Sequence, residues 1–182
     1  MEGVQAKRSL TLATIEAMSE RRSYRPSPYQ LPIDYGARPL EIGQHVRVLS
    51  EPYVVRQPAD AAMYLLNQVF VPFEQFKQEQ LYVLLLDNKN LITHDVLVYK
   101  GTVNALHVRV SELFMEAVKV NAPSIIMSHC HPSGAIDPSP EDLRVTQIAY
   151  EAGQLLDIKL LDHILVGRNQ WLSLREKALG FP

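Results

Sequence analysis

His129 and His131 stand two residues apart at the end of a short apolar run, Ile125-Ile126-Met127, which Pro123 leads in. The run reads as a buried strand. Residues two apart on a strand project to the same face, so both imidazoles can converge on one point. Pro132, Ser133, Gly134, Asp137 and Pro138 then mark a loop. Ser139-Pro140-Glu141-Asp142 follows as a helix start, with a side-chain oxygen at the N-cap, proline at the first helical position and acids in the first turn. Two imidazoles and one carboxylate make three ligands with a fourth position free, the pattern of a catalytic zinc site rather than a closed structural one. Helix phase does not choose between Glu141 and Asp142, because both project near the edges of the apolar stripe.

The elements that must position these groups follow from periodicity. Pro58-Ala59-Asp60 opens an amphipathic helix with Ala61, Ala62, Leu65, Leu66, Val69 and Phe70 on one face, running out near Val71-Pro72. Leu81 to Leu86 reads as a buried strand, Asp87 to Asn90 as a hairpin turn and Leu91 to Tyr99 as the return strand. A short extended piece follows Gly101, and Ser111 caps a helix carrying Leu113, Phe114, Ala117 and Val118. The helix from Pro140 to about Leu156 turns Val145, Ile148, Ala149, Ala152 and Leu155 inward, and strands follow at Leu160 to Val166 and Trp171 to Leu174. A hairpin together with crossovers predicts an α/β fold, a mixed β-sheet packed between helices.

Residues 1–57 form an extension ahead of a domain at 58–182. Thr11 to Arg22 patterns as a short helix, and Arg21, Arg22, Tyr24, Arg25, Pro26, Pro28 and Pro32 as a basic, proline-rich connector or docking arm. Apolar residues make up 47% of the chain, enough for a sizeable core, yet no run approaches the roughly 20 residues of a membrane helix. The polar N-terminus carries no secretory pattern. One cysteine, Cys130, rules out an internal disulfide, and a reducing cytoplasm is the expected compartment. The net charge of −2 divides into +2 for residues 1–50 and −4 for the rest, so the main domain lacks the basic footprint of a nonspecific duplex-DNA binder.

The order His-x-His, seven residues, Ser-x-x-Asp resembles the JAMM (MPN+) metalloprotease motif. The fuller string His-x-His-Pro-Ser-Gly, then Pro-Ser-x-x-Asp, is similar to the RadC branch of that superfamily. LLDHILVG (Leu160 to Gly167), LLLDNKNLI (Leu84 to Ile92) and KGTVN (Lys100 to Asn104) agree, and the likeness covers roughly Pro58 to Phe181. It implies a cytidine-deaminase-like JAB/MPN sandwich, one Zn²⁺ per chain, and His129, His131 and Asp142 as its ligands, the Ser-x-x-Asp spacing selecting Asp142 over Glu141. No helix-hairpin-helix segment is recognisable ahead of the domain. Cys130 stands where RadC sequences commonly carry Asn, and on a strand it points away from both histidines. Ser111-Glu112 replaces a frequent Arg-Glu, which puts any role of that arginine in doubt.

Hydrolysis needs a base for the water proton. Glu74, Glu79, Glu112 and Glu116 are the candidates, and the resemblance selects Glu79, just ahead of the first core strand, with Glu74 next. Ser139 can accept a helix-cap bond and donate its single proton, which the resemblance directs to a developing oxyanion; capping alone also explains it. Asp162 and His163 are adjacent on a strand and cannot both face a metal; they read first as satisfied core or edge polar groups, with a contact behind a ligand as the alternative for one of them. His45, His94 and His107 have no convergent partners in the sequence.

The expected function is a zinc-dependent hydrolase of an amide, peptide or isopeptide bond, with a peptide or ubiquitin-like protein as substrate. The alternative is a DNA-repair-associated protein, a metal-dependent nuclease or accessory factor reaching nucleic acid through the Arg21–Arg25 arm. A non-catalytic MPN-type binding module ranks third, because such domains have usually lost the ligands that this sequence keeps.

Overall fold

The computed structural model describes residues 45–101 and 108–182. The helix expected at 11–22, the basic arm, the segment Thr102 to Asn104 and His107 lie outside the described residues. Six strands form one mixed sheet: β1 (His45–Val54), β2 (Gln80–Leu86), β3 (Leu91–Lys100), β4 (Ser124–Cys130), β5 (Lys159–Gly167) and β6 (Gln170–Ser173). Their spatial order is β1-β3-β2-β4-β5-β6. Only β4 and β5 run parallel, joined by the long helix that such a crossover requires. The helices are α1 (Pro58–Tyr64, continued by a π turn over Leu65–Val69), α2 (Val110–Lys119) and α3 (Pro140–Leu156).

Alternation along the strands builds two cores, one on each face of the sheet. On β4, Ile125 and Met127 pack with Leu113, Phe114 and Ala117 of α2 and Val145 and Ala149 of α3. Ile126 and Cys130 pack with Ala61, Ala62, Leu65 and Phe70 around α1. The α/β/α layering expected from the element pattern is therefore present. β4 is buried along its whole length, as a central strand covered on both faces must be. His129 thus emerges on the α2–α3 face and Cys130 on the other.

Three details depart from the sequence reading. β1 precedes Pro58 and pairs antiparallel with β3, as an edge strand whose register breaks between Val48 and Tyr53, around Pro52. Pro52 cannot donate to a ladder, and edges and bulges are where strands tolerate it. Helix α2 begins at Val110, with Arg109 at the N-cap and no side-chain cap bond, so Ser111 lies inside the first turn. Along α3 the buried line is Asp142, Val145, Thr146, Ala149 and Gly153. Ile148 and Leu155 instead face outward, Leu155 being 89% exposed. A glycine and small side chains let the helix lie close to the sheet: a Cβ on Gly153 would come within 2.5 Å of the Ile158 carbonyl oxygen. That close approach rotates the larger Leu155 away from the interface.

Candidate metal centre

β4 ends by carrying His129 fully buried and His131 half-buried onto the α3 side. The chain then turns through Gly134, whose φ of +85° an L side chain rarely adopts. The Gly134 amide donates to the His131 carbonyl at 2.8 Å, and the Gln170 amide donates to the Gly134 carbonyl at 2.6 Å. Gly167 lets the β5–β6 turn press on this loop, since a Cβ there would sit 2.3 Å from the Gly134 oxygen. Ser139 then starts α3 as its N-cap. Its Oγ accepts from the Asp142 amide at 3.1 Å, and the Ser139 amide donates back to Asp142 Oδ2 at 2.8 Å. This reciprocal capping box fixes the Asp142 side chain toward the strand end. Asp142 is buried and Glu141 exposed, so it is Asp142 that the helix start turns toward the histidines.

One ligand atom from each of His129, His131 and Asp142 lies within 4.8 Å of the others. His129 Nε2 is 2.9 Å from His131 Nε2 and 3.0 Å from Asp142 Oδ1, and His131 Nε2 is 3.7 Å from Asp142 Oδ2. His131 Nδ1 is 3.1 Å from the Ala135 carbonyl, which can only accept. Nδ1 therefore bears a proton, and on the neutral ring Nε2 offers its lone pair to the cluster. Among the described residues no lysine or arginine pairs with Asp142, whose nearest basic groups are these two imidazoles. A buried carboxylate requires compensating positive charge, and two nitrogens with a carboxylate oxygen are the donors zinc prefers. The group fits a metal ion.

The electrostatics agree. Burial alone would raise the Asp142 carboxyl, but its close contacts with His129 and His131 outweigh it and hold the group well below the usual carboxylate range. The same Asp142 contact raises His131 against the opposing effect of burial, with Glu79 adding to the rise. Leu81 lies opposite His129 across the antiparallel β2–β4 pair, and Glu79 stands two residues ahead of Leu81, just before β2 begins. The other acids lie elsewhere: Glu74 is 3.9 Å from Arg168 with both side chains exposed, Glu116 pairs with Lys119 at 2.7 Å, and Glu112 is buried 3.5 Å from Arg109. A cavity of about 430 Å³ at the β1–α1 edge, lined by Arg47, Tyr53 and Tyr64 among others, contains none of the site residues.

Ser139 accepts the cap bond as read, while its hydroxyl proton goes to Asp142 Oδ2 at 2.8 Å. Cys130 is buried, and desolvation pushes its thiol up to about 11. His94 contacts Thr93 at 2.9 Å and takes no part. Of the pair Asp162 and His163, it is His163 that meets the site, its Nε2 lying 2.9 Å from His129 Nδ1. A register shift between Ile125 and Ile126 in the β4–β5 ladder leaves Leu161 without a partner. That bulge reverses the alternation after Leu160. Asp162 turns to Ser173 Oγ, 2.6 Å away. Behind His163 stands Thr146 of α3, its Oγ1 2.6 Å from His163 Nδ1. Sequence reasoning did not single out Thr146, and only its place one turn after Asp142 on the buried helix face could have signalled it.

A three-layer sandwich with two histidines and an aspartate gathered at the end of its central strand has the fold and donor set of a JAMM-type metal-dependent domain. The chain belongs to the RadC-like JAB domain family, which matches residues 55–179. It is 44% identical over 144 residues to a UPF0758 protein of Chloroflexus aggregans, covering 78% of this chain and 61% of that protein. UPF0758 proteins of Roseiflexus castenholzii and Bacillus licheniformis are 43% and 41% identical, over 78% and 76% of this chain and 60% and 61% of their own lengths. The chain thus spans about three fifths of these relatives. No helix among the described residues is long and apolar enough to cross a membrane.

Proposed function

We propose that this chain is a zinc-dependent hydrolase of an amide bond in a peptide or isopeptide, with His129, His131 and Asp142 as ligands, Glu79 as general base and Ser139 as oxyanion donor. The observation that carries the reading is the convergence of three ligand atoms within 4.8 Å, beside a Glu79 whose charge acts on His131. His129, His131 and Asp142 would hold a zinc ion, which would supply there a Lewis acid able to bring the pKa of water toward about 7. The Glu79 carboxylate takes the proton of the attacking water and returns it to the leaving amine. Ser139 Oγ swings its proton from Asp142 to the developing oxyanion while its lone pairs keep the helix cap. Asp142, stripped of water and pinned by its capping box, keeps its negative charge as a ligand throughout.

The test is zinc-loaded hydrolysis of peptides and ubiquitin-like fusions by the full chain. Glu79→Gln keeps zinc and loses roughly 10²–10⁴-fold in rate, whereas His131→Ala loses both zinc and rate. Chelator-resistant activity, or variants as active as the parent, would overturn the proposal. The nucleic-acid alternative is carried by the Arg21–Arg25 arm: strand cleavage abolished in His131→Ala would favour it.

A further inference from the structure

We infer that His163 and Thr146 are positioning residues that hold His129 in the one tautomer able to present its Nε2 lone pair to a metal. The inference rests on the metal reading of the site for its purpose, but its geometry stands on hydrogen-bond polarity alone. Thr146 Oγ1 is 2.6 Å from the Asp142 carbonyl oxygen. A carbonyl only accepts, so the hydroxyl donates there its single proton. The same oxygen is 2.6 Å from His163 Nδ1, and toward that nitrogen it can only accept. His163 therefore carries its proton on Nδ1, and on the neutral ring Nε2 is bare. That bare nitrogen is 2.9 Å from His129 Nδ1, which must then be the donor. The last atom in the chain, His129 Nε2, is left to face His131 Nε2 and Asp142 Oδ1 at 2.9 and 3.0 Å.

Two features make the relay a device rather than a chance contact. Thr146, His163 and His129 are each fully buried, so water cannot substitute for a missing partner and restore the alternative tautomer. The chain also begins and ends on one residue: the Asp142 backbone carbonyl sets the first polarity, and its carboxylate is the third ligand. His131 receives its tautomer independently, from the Ala135 carbonyl. The β5 bulge at Leu161 is what brings His163 rather than Asp162 to this face.

Heteronuclear NMR of the histidine side-chain nitrogens in the metal-free 182-residue chain reads the tautomers directly, without zinc and without any variant. The expected result is a proton on Nδ1 of both His129 and His163, with His163 Nε2 bare. Zinc affinity is then measured by competition against a chromophoric chelator. Thr146→Val, which keeps shape but lacks the hydroxyl, binds zinc about 10–100-fold more weakly, whereas Thr146→Ser retains the parental affinity. A His163 protonated on Nε2, a His129 Nδ1 without a proton, or a Thr146→Val variant binding zinc like the parent would each overturn the inference. A parent protein with the assigned tautomers that binds no zinc would sink the metal reading and leave the relay standing.

Discussion

Replacing Ser139 with alanine isolates what the start of α3 contributes to the site. The hydroxyl makes two contacts, accepting from the Asp142 amide at 3.1 Å and donating to Asp142 Oδ2 at 2.8 Å. Loss of a serine N-cap costs about 1 kcal/mol, within a range of roughly 0.5–2. A hydrogen bond to a charged group is worth about 1.5–3 kcal/mol, but here the loss is partial. Asp142 Oδ2 keeps its bond from the Ser139 amide, which alanine retains, and Ser139 is half-exposed, so water refills one site. The two contacts share one hydroxyl and do not add. Ser139→Ala is therefore expected to cost about 1–2 kcal/mol in the metal-free protein. For a domain of this size that is a fall in Tm of roughly 2–8 °C. Urea unfolding with an unchanged m-value gives the stability difference, and Ser139→Thr, which restores a hydroxyl, recovers most of it. An alanine variant as stable as the parent would refute the capping box as the element that fixes Asp142.

Three further outcomes follow from buried groups. Burial raises the Glu112 carboxyl, opposed by Arg109, so its ionised form weakens the fold above that raised pKa and not below the unfolded value. Glu112→Gln should accordingly be more stable at pH 7 by about 1 kcal/mol, with the advantage fading on acidification; pH-resolved urea unfolding checks it. Cys130, buried with its thiol near 11, should resist alkylation in the native protein at pH 8 and react once urea unfolds it, as mass spectrometry would read. Gly167→Ala drives a Cβ to 2.3 Å from the Gly134 oxygen, so the loop after His131 must shift, lowering both Tm and zinc affinity.

Much of the site was legible because local rules wrote it. Strand alternation put His129 and His131 on one face, and the cap signature placed an acid in the first turn. The hairpin was equally local: Asp87 Oδ1 accepts from the Lys89 and Leu91 amides, as a turn aspartate should. What stayed hidden depended on distant partners. A one-residue bulge opposite Ile125–Ile126 decides between Asp162 and His163, and no pattern within β5 announces it. Thr146 reads as an ordinary mid-helix threonine until β5 lies beside it. β1 alternates poorly because it is an edge strand with proline at its break. Leu155 looked like core by periodicity, and the close seat of Gly153 against Ile158 turned it outward.

Zinc titration of the metal-free protein, set beside His131→Ala and Asp142→Asn, addresses the three-ligand cluster most directly. One equivalent bound by the parent, with each single change lowering the affinity by well over tenfold, is the predicted result. A parent that binds no zinc, or binds it equally well without either side chain, would contradict the account.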